Sequence, residues 1–182
     1  MRRTMGMAVV LGLAVACGGN DGGGGAAAFT DAMTSACGGF GNAVEALSAG
    51  DYCAAEVLDW AYDAETSELT LLHQRTTLNC CGEHSVSAAW EGDAVVVTSV
   101  DEPEAAPGGG ARCGCMCVFD FGVTVLQVPA GTAQALTWRE TVTDQDDGDR
   151  VVFDGTLDLS AGSGRVVISD AESMWCQADS AL

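Results

Sequence analysis

The chain has no lysine, two histidines and three prolines, and its 7 basic residues, all arginine, face 26 acidic ones for a formal net charge of −19. So few cations exclude a phosphate-binding surface, because nucleic acid and anionic lipid headgroups would both be repelled. Motifs of hydrolytic chemistry are missing too. There is no G-x-S-x-G and no H-E-x-x-H, and His73 and His84 are the only imidazoles that would serve as bases. The sequence therefore reads as a non-enzyme. No apolar run reaches the ~18 residues that a spanning helix needs, so any attachment to a membrane must come from something other than a transmembrane segment.

What is present begins at the N-terminus. Arg2 and Arg3 precede the short apolar run Met5 to Ala16, and Ala14-Val15-Ala16 sets small residues directly before Cys17. The same residues satisfy the A-x-A rule of ordinary secretory signals, so cleavage releases either a free domain or one that begins at Cys17. Cysteine parity favours the second. Nine cysteines leave one over, and assigning Cys17 to fatty acyl chains leaves eight that can pair in an oxidising compartment. The segment resembles a bacterial lipoprotein signal, with residues 1–16 removed and Cys17 acylated. That resemblance implies a cell-envelope location, and Gly18 in place of Asp implies the outer membrane where a host has two. Residues 17–28, rich in glycine, have little to bury and read as a tether.

Past the tether, residues 29–50 suit short helical or irregular structure around Gly38-Gly39, with Asn42 as a cap and Gly50 as a stop. Residues 51–182 change to strand patterns. Two hairpins are expected, over 56–78 and over 85–98 with the turn Glu91-Gly92-Asp93. A loop by composition, Asp101 to Arg112, separates them from the longest strand expected, Cys113 to Val128. Further strands are expected over 133–142, 151–159 and 165–169. About eight short strands predict an all-β fold: an antiparallel β-sandwich, immunoglobulin-like or barrel-like, stapled by disulfides. The expected core includes Phe119, Phe121, Val123, Phe153, Leu157, Val166 and Ile168.

Cysteine carries the most chemistry in the chain. The triplet Cys113, Cys115, Cys117 has period two, which in a strand sets three sulfurs on one face, in line with Phe119 and Phe121 and pointing inward. Neighbours at that spacing close a disulfide poorly, so each needs a partner among Cys37, Cys53, Cys80, Cys81 and Cys176. Cys80 and Cys81 are expected to bond to members of the triplet. The alternative is a zinc or copper site of Cys80, Cys113, Cys115 and Cys117 with His73 or His84, although no C-x₂-C spacing is present. Otherwise the histidines are polar strand or turn residues.

From His73 through Asn79-Cys80-Cys81, Glu91-Gly92-Asp93, Cys113-Cys115-Cys117 and Phe119-Asp120 to Pro129-Ala130-Gly131-Thr132, the chain resembles a group of poorly characterised exported bacterial β-domains. The resemblance spans residues 68–132. It implies a sandwich-like fold and no established activity. Two further patterns are weaker. The acidic run Asp144 to Asp149 lacks the EF-hand glycine and its final glutamate, and reads as a solvated hairpin tip. Trp60, Trp90, Trp138 and Trp175 read as packing residues, with a sugar- or peptide-binding face as the alternative. The functional expectation is thus a lipid-anchored structural or binding domain with a protein or glycan partner and no nucleic acid; the alternative is a metal-binding or thiol-redox domain.

Overall fold

Nine strands, several of which alternate apolar and polar side chains, make up the computed structural model, which describes residues 29–38, 55–105, 110, 112–146 and 148–170. They are β1 (Phe29–Thr34), β2 (Glu56–Asp63), β3 (Glu68–Asn79), β4 (Gly82–Glu91), β5 (Ala94–Pro103), β6 (Met116–Val125), β7 (Gln134–Val142), β8 (Asp149–Leu157) and β9 (Ser163–Ser169). One sheet has the order β1-β6-β3-β2-β9 and the other β4-β5-β7-β8. The only helical element among the described residues is a 3-10 turn, Leu159–Ala161, capped by Asp158 through its bond from the Ser160 amide. The two sheets bury one common core, in which Leu58, Leu71, Phe121 and Val123 from the first meet Val95, Val97, Leu136 and Trp138 from the second.

Both expected hairpins form. Strand β2 pairs with β3, and β4 with β5 around a turn where Gly92 takes φ +66°. Three expectations are corrected. Phe29–Thr34 is not helical but an edge strand antiparallel to β6, with Phe29 opposite Val125; Asn42 to Leu47 lie outside the described residues. The sheets are not purely antiparallel, because β5 runs parallel to β7 from Val95–Leu136 to Asp101–Val142. Such a pairing requires a crossover, and β6 of the opposite sheet supplies it. Finally, Asp101 to Pro103 belong to β5, while Cys113 and Cys115 precede β6 and are exposed. The inward face that would have carried three sulfurs begins only at Cys117.

Strand β3 carries a bulge with a consequence for the polar interior. Leu69, Leu71 and His73 point inward at period two, after which the phase slips by one and Thr76 and Leu78 are the buried residues. Arg75 absorbs the extra residue at φ +66°, a conformation uncommon for a residue with a Cβ. Two bonds hold it: its amide donates to Asp120 Oδ1 at 2.8 Å, and its Nε donates to the Ala55 carbonyl. The bulge thereby turns both His73 and Thr76 into the core. Of the expected core, Phe119, Phe121, Val123 and Leu157 are buried, whereas Phe153, Val166 and Ile168 only flank it. Phe153 lies across Gly155, where a Cβ would come within 2.8 Å of its ring.

Candidate functional site at the cysteine pole

Strands β3 and β6 run antiparallel with Leu78 opposite Cys117 and Asn79 opposite Met116, which brings the end of one beside the start of the other. Cysteines that flank those ends are therefore neighbours. The structure bonds Cys80 to Cys115, Cys81 to Cys113 and Cys37 to Cys117. The sulfurs of Cys80, Cys81, Cys113 and Cys115 all lie within 4.8 Å of one another, the first two partly buried and the last two exposed. Cys17, Cys53 and Cys176 lie outside the described residues.

Asn79 organises this pole without using sulfur. Its Nδ2 donates to the carbonyls of Cys113 and Cys115 at 2.8 and 3.1 Å, and its Oδ1 accepts from the amides of Cys81 and Cys113 at 3.0 and 3.2 Å. All the hydrogen-bonding capacity of one amide is thus spent on joining the two cysteine segments. The amide of Cys80 adds a bond to the Cys115 carbonyl at 3.3 Å.

Next to the sulfurs stands a charged group. Asp101, 2% exposed, accepts from Arg112 Nη1, and Arg112 also reaches Asp144 at 2.6 Å. His84 Nε2 is buried 3.3 Å from Asp101 Oδ1 without hydrogen-bond geometry, and its ring packs on Phe119 with centroids 4.1 Å apart. Burial and the nearby Arg112 cation push the His84 pKa below its ordinary value against the pull of Asp101, so the imidazole is held neutral. The expected hairpin tip at Asp144 thus doubles as an anchor for Arg112. A cavity of about 290 Å³ opens here between Asn79, Asp101, Arg112, Met116 and Gln145.

A second polar group spans the two sheets. His73 Nε2 is 2.8 Å from Glu56 Oε1, and Arg150 reaches Glu56 at 2.6 Å and Glu140 at 3.2 Å. Thr76 donates to Glu140 Oε2 at 2.7 Å. Burial raises the Glu56 pKa, but bonds from His73 and Arg150 outweigh it and hold the carboxyl below its ordinary range. This group clamps sheet to sheet, since Glu56, His73 and Thr76 belong to one sheet and Glu140 and Arg150 to the other. His73 sits at this clamp, and Cys117 is bonded to Cys37. Of the metal set considered from sequence, only Cys80, Cys113 and Cys115 converge, joined by Cys81.

The tryptophans among the described residues serve packing. Trp60 and Trp138 are buried, Trp138 donating to Ser99 Oγ at 3.2 Å, and Trp90 flanks the core; Trp175 lies outside the described residues. Sequence reasoning missed the Asp101–Arg112–Asp144 and Glu56–Arg150–Glu140 groups, since charged residues in strands read as solvent-facing. The one available signal was the broken alternation at His73-Gln74-Arg75-Thr76. No protein-family model, curated protein or solved structure matches this chain.

Proposed function

We propose that this chain is an exported lipoprotein: a β-sandwich, tethered through acylated Cys17, that acts without catalysis as a structural or binding domain for a protein or glycan at the cell envelope. The observation that carries the reading is the three disulfides among the described residues, which use six of the nine cysteines and link residues 32 to 80 positions apart. Such bonds persist where thiols are oxidised, outside the cytoplasm. The signal-like residues 1–16 and the odd cysteine at 17 fit that compartment. Where two membranes are present, the outer one is the site.

Two structural features support the display of this domain on a tether. Phe29 pairs with Val125 at the end of β6 opposite the cysteines, so the chain enters the sheet about 30 Å from the cysteine pole, at ~3.4 Å per residue along β6. The pole therefore lies at the other end of β6 from the entry point. In addition, all five arginines among the described residues are engaged, Arg75 by the Ala55 carbonyl and the others by carboxylates. With its few cations paired and a large acidic excess, the domain is repelled by anionic headgroups, and acyl chains supply the membrane attachment. Fractionation tests this. The unaltered chain is expected in the membrane fraction with an intact mass that includes lipid, and Cys17→Ser in the soluble fraction. An unaltered chain that is soluble and free of lipid refutes the reading.

A further inference from the structure

We propose that Cys80, Cys81, Cys113 and Cys115 form a redox-gated tetrathiolate metal site: closed as two disulfides when oxidised, and able to hold one zinc ion when reduced. This goes beyond the envelope-anchor reading and does not depend on it. The first argument is distance. In a tetrahedral zinc site with Zn–S near 2.3 Å the sulfurs stand about 3.8 Å apart. All four sulfurs here already lie within 4.8 Å of one another, so once the two S–S bonds open, the thiols start close to that spacing.

The second argument is that the frame around the sulfurs is held by other bonds. Asn79 makes four hydrogen bonds across the two cysteine segments, and β3 and β6 remain paired up to Asn79–Met116. One residue further on, Cys117 is tied separately to Cys37. Breaking the two polar-end disulfides therefore leaves the four cysteines pre-positioned. Asn79 acts here as a positioning residue behind the ligands, a role that typically changes metal affinity by about 10–100-fold. Exposure supplies the third argument, since Cys113 and Cys115 face solvent and are open to attack by an incoming thiolate.

The steps balance with a dithiol as the reductant. Each protein disulfide receives two electrons and two protons from one dithiol, which leaves as its own disulfide, and two such exchanges yield four cysteine thiols. Zinc then binds the four thiolates, and four protons are released to solvent. Sulfur in a disulfide is a poor ligand, so two equivalents of the oxidised (disulfide) form of that dithiol, each taking two electrons from the protein thiolates and two protons from solvent, expel the metal and reform Cys80–Cys115 and Cys81–Cys113. Arg112 is adjacent in sequence to Cys113, and its guanidinium lies against Gly82, the residue after Cys81.

The experiment uses the full chain in detergent, reduced with a phosphine under argon and titrated with Co(II) as a spectroscopic probe for zinc. Expected are thiolate-to-cobalt charge-transfer bands and the intense visible bands of a tetrahedral ion, saturating at one equivalent and lost on adding zinc. Alkylation mapping should find Cys80, Cys81, Cys113 and Cys115 protected by metal. The Cys37→Ser/Cys117→Ser variant should keep the bands, and Asn79→Ala should weaken binding about tenfold or more. The proposal is overturned if a reduced chain that retains its β-type far-ultraviolet spectrum shows no cobalt–thiolate bands, or if the bands survive in Cys80→Ser/Cys81→Ser. It is equally overturned if reduction alone unfolds the domain and metal does not restore it. None of these outcomes bears on acylation at Cys17.

Discussion

Removing the paired disulfides one at a time should cost far less than removing both, because they close almost the same loop. Cys80–Cys115 and Cys81–Cys113 have sequence separations of 35 and 32. From loop-closure entropy, either bond alone constrains the unfolded chain by about 3.7–3.8 kcal/mol at 25 °C. With one in place, the other closes only the ring of Cys81, Cys80, Cys115, Gly114 and Cys113, worth about 2 kcal/mol. Cys80→Ala/Cys115→Ala and Cys81→Ala/Cys113→Ala should therefore each lose about 2 kcal/mol, and the fourfold variant about 6. The interaction term is near 2 kcal/mol, well above the few tenths expected of independent sites. Urea unfolding followed by tryptophan fluorescence, with Cys37–Cys117 left oxidised, measures all three. If the single-bond losses are each near 4 kcal/mol and simply add, the two bonds constrain the chain independently and the reasoning fails.

Arg112→Met removes the guanidinium from Asp101, which is 2% exposed. The stranded carboxylate should cost about 3–5 kcal/mol, and Arg112→Met/Asp101→Asn should recover much of it in the same unfolding assay. Acid should destabilise the domain in two stages. His84 is held neutral below its ordinary value of 6.5, so the unfolded chain takes up a proton that the folded one refuses, and stability falls as pH drops below 6.5. Glu56 is held below its ordinary value of 4.5, so its contribution is present above 4.5 and is lost as pH falls through the folded-state value. Unfolding free energy measured from about pH 7 to 3 should show both stages, and His84→Gln should remove only the upper one. A profile for His84→Gln that matches the parent would sink this assignment.

The strands and hairpins were legible because a half-buried strand writes its burial as alternation, and turn residues such as Gly92 mark where it reverses. The neighbourhood of the two cysteine clusters was legible for a related reason: sulfurs two residues apart seek partners elsewhere, and few others were on offer. Period two failed where its premise failed. Cys113 and Cys115 lie before β6 begins, so no pleat orients them, and Phe29–Thr34 forms a strand only because the edge of β6 is there to receive it. Pairing of β5 with β7 likewise has no local signature, since parallel neighbours are chosen by packing between distant segments.

By itself the sequence determined the all-β class, the acidic surface and the set of residues able to carry chemistry, since composition and periodicity are properties of the chain alone. Tertiary structure decided which of those residues meet. It brought Cys81 into the group of four and sent Cys117 to Cys37. It also turned His73 inward through the Arg75 bulge and enclosed Asp101 with Arg112. The physical reason is that a buried charge or a sulfur pair depends on partners tens of residues away, and their positions exist only after two sheets have closed on a common core.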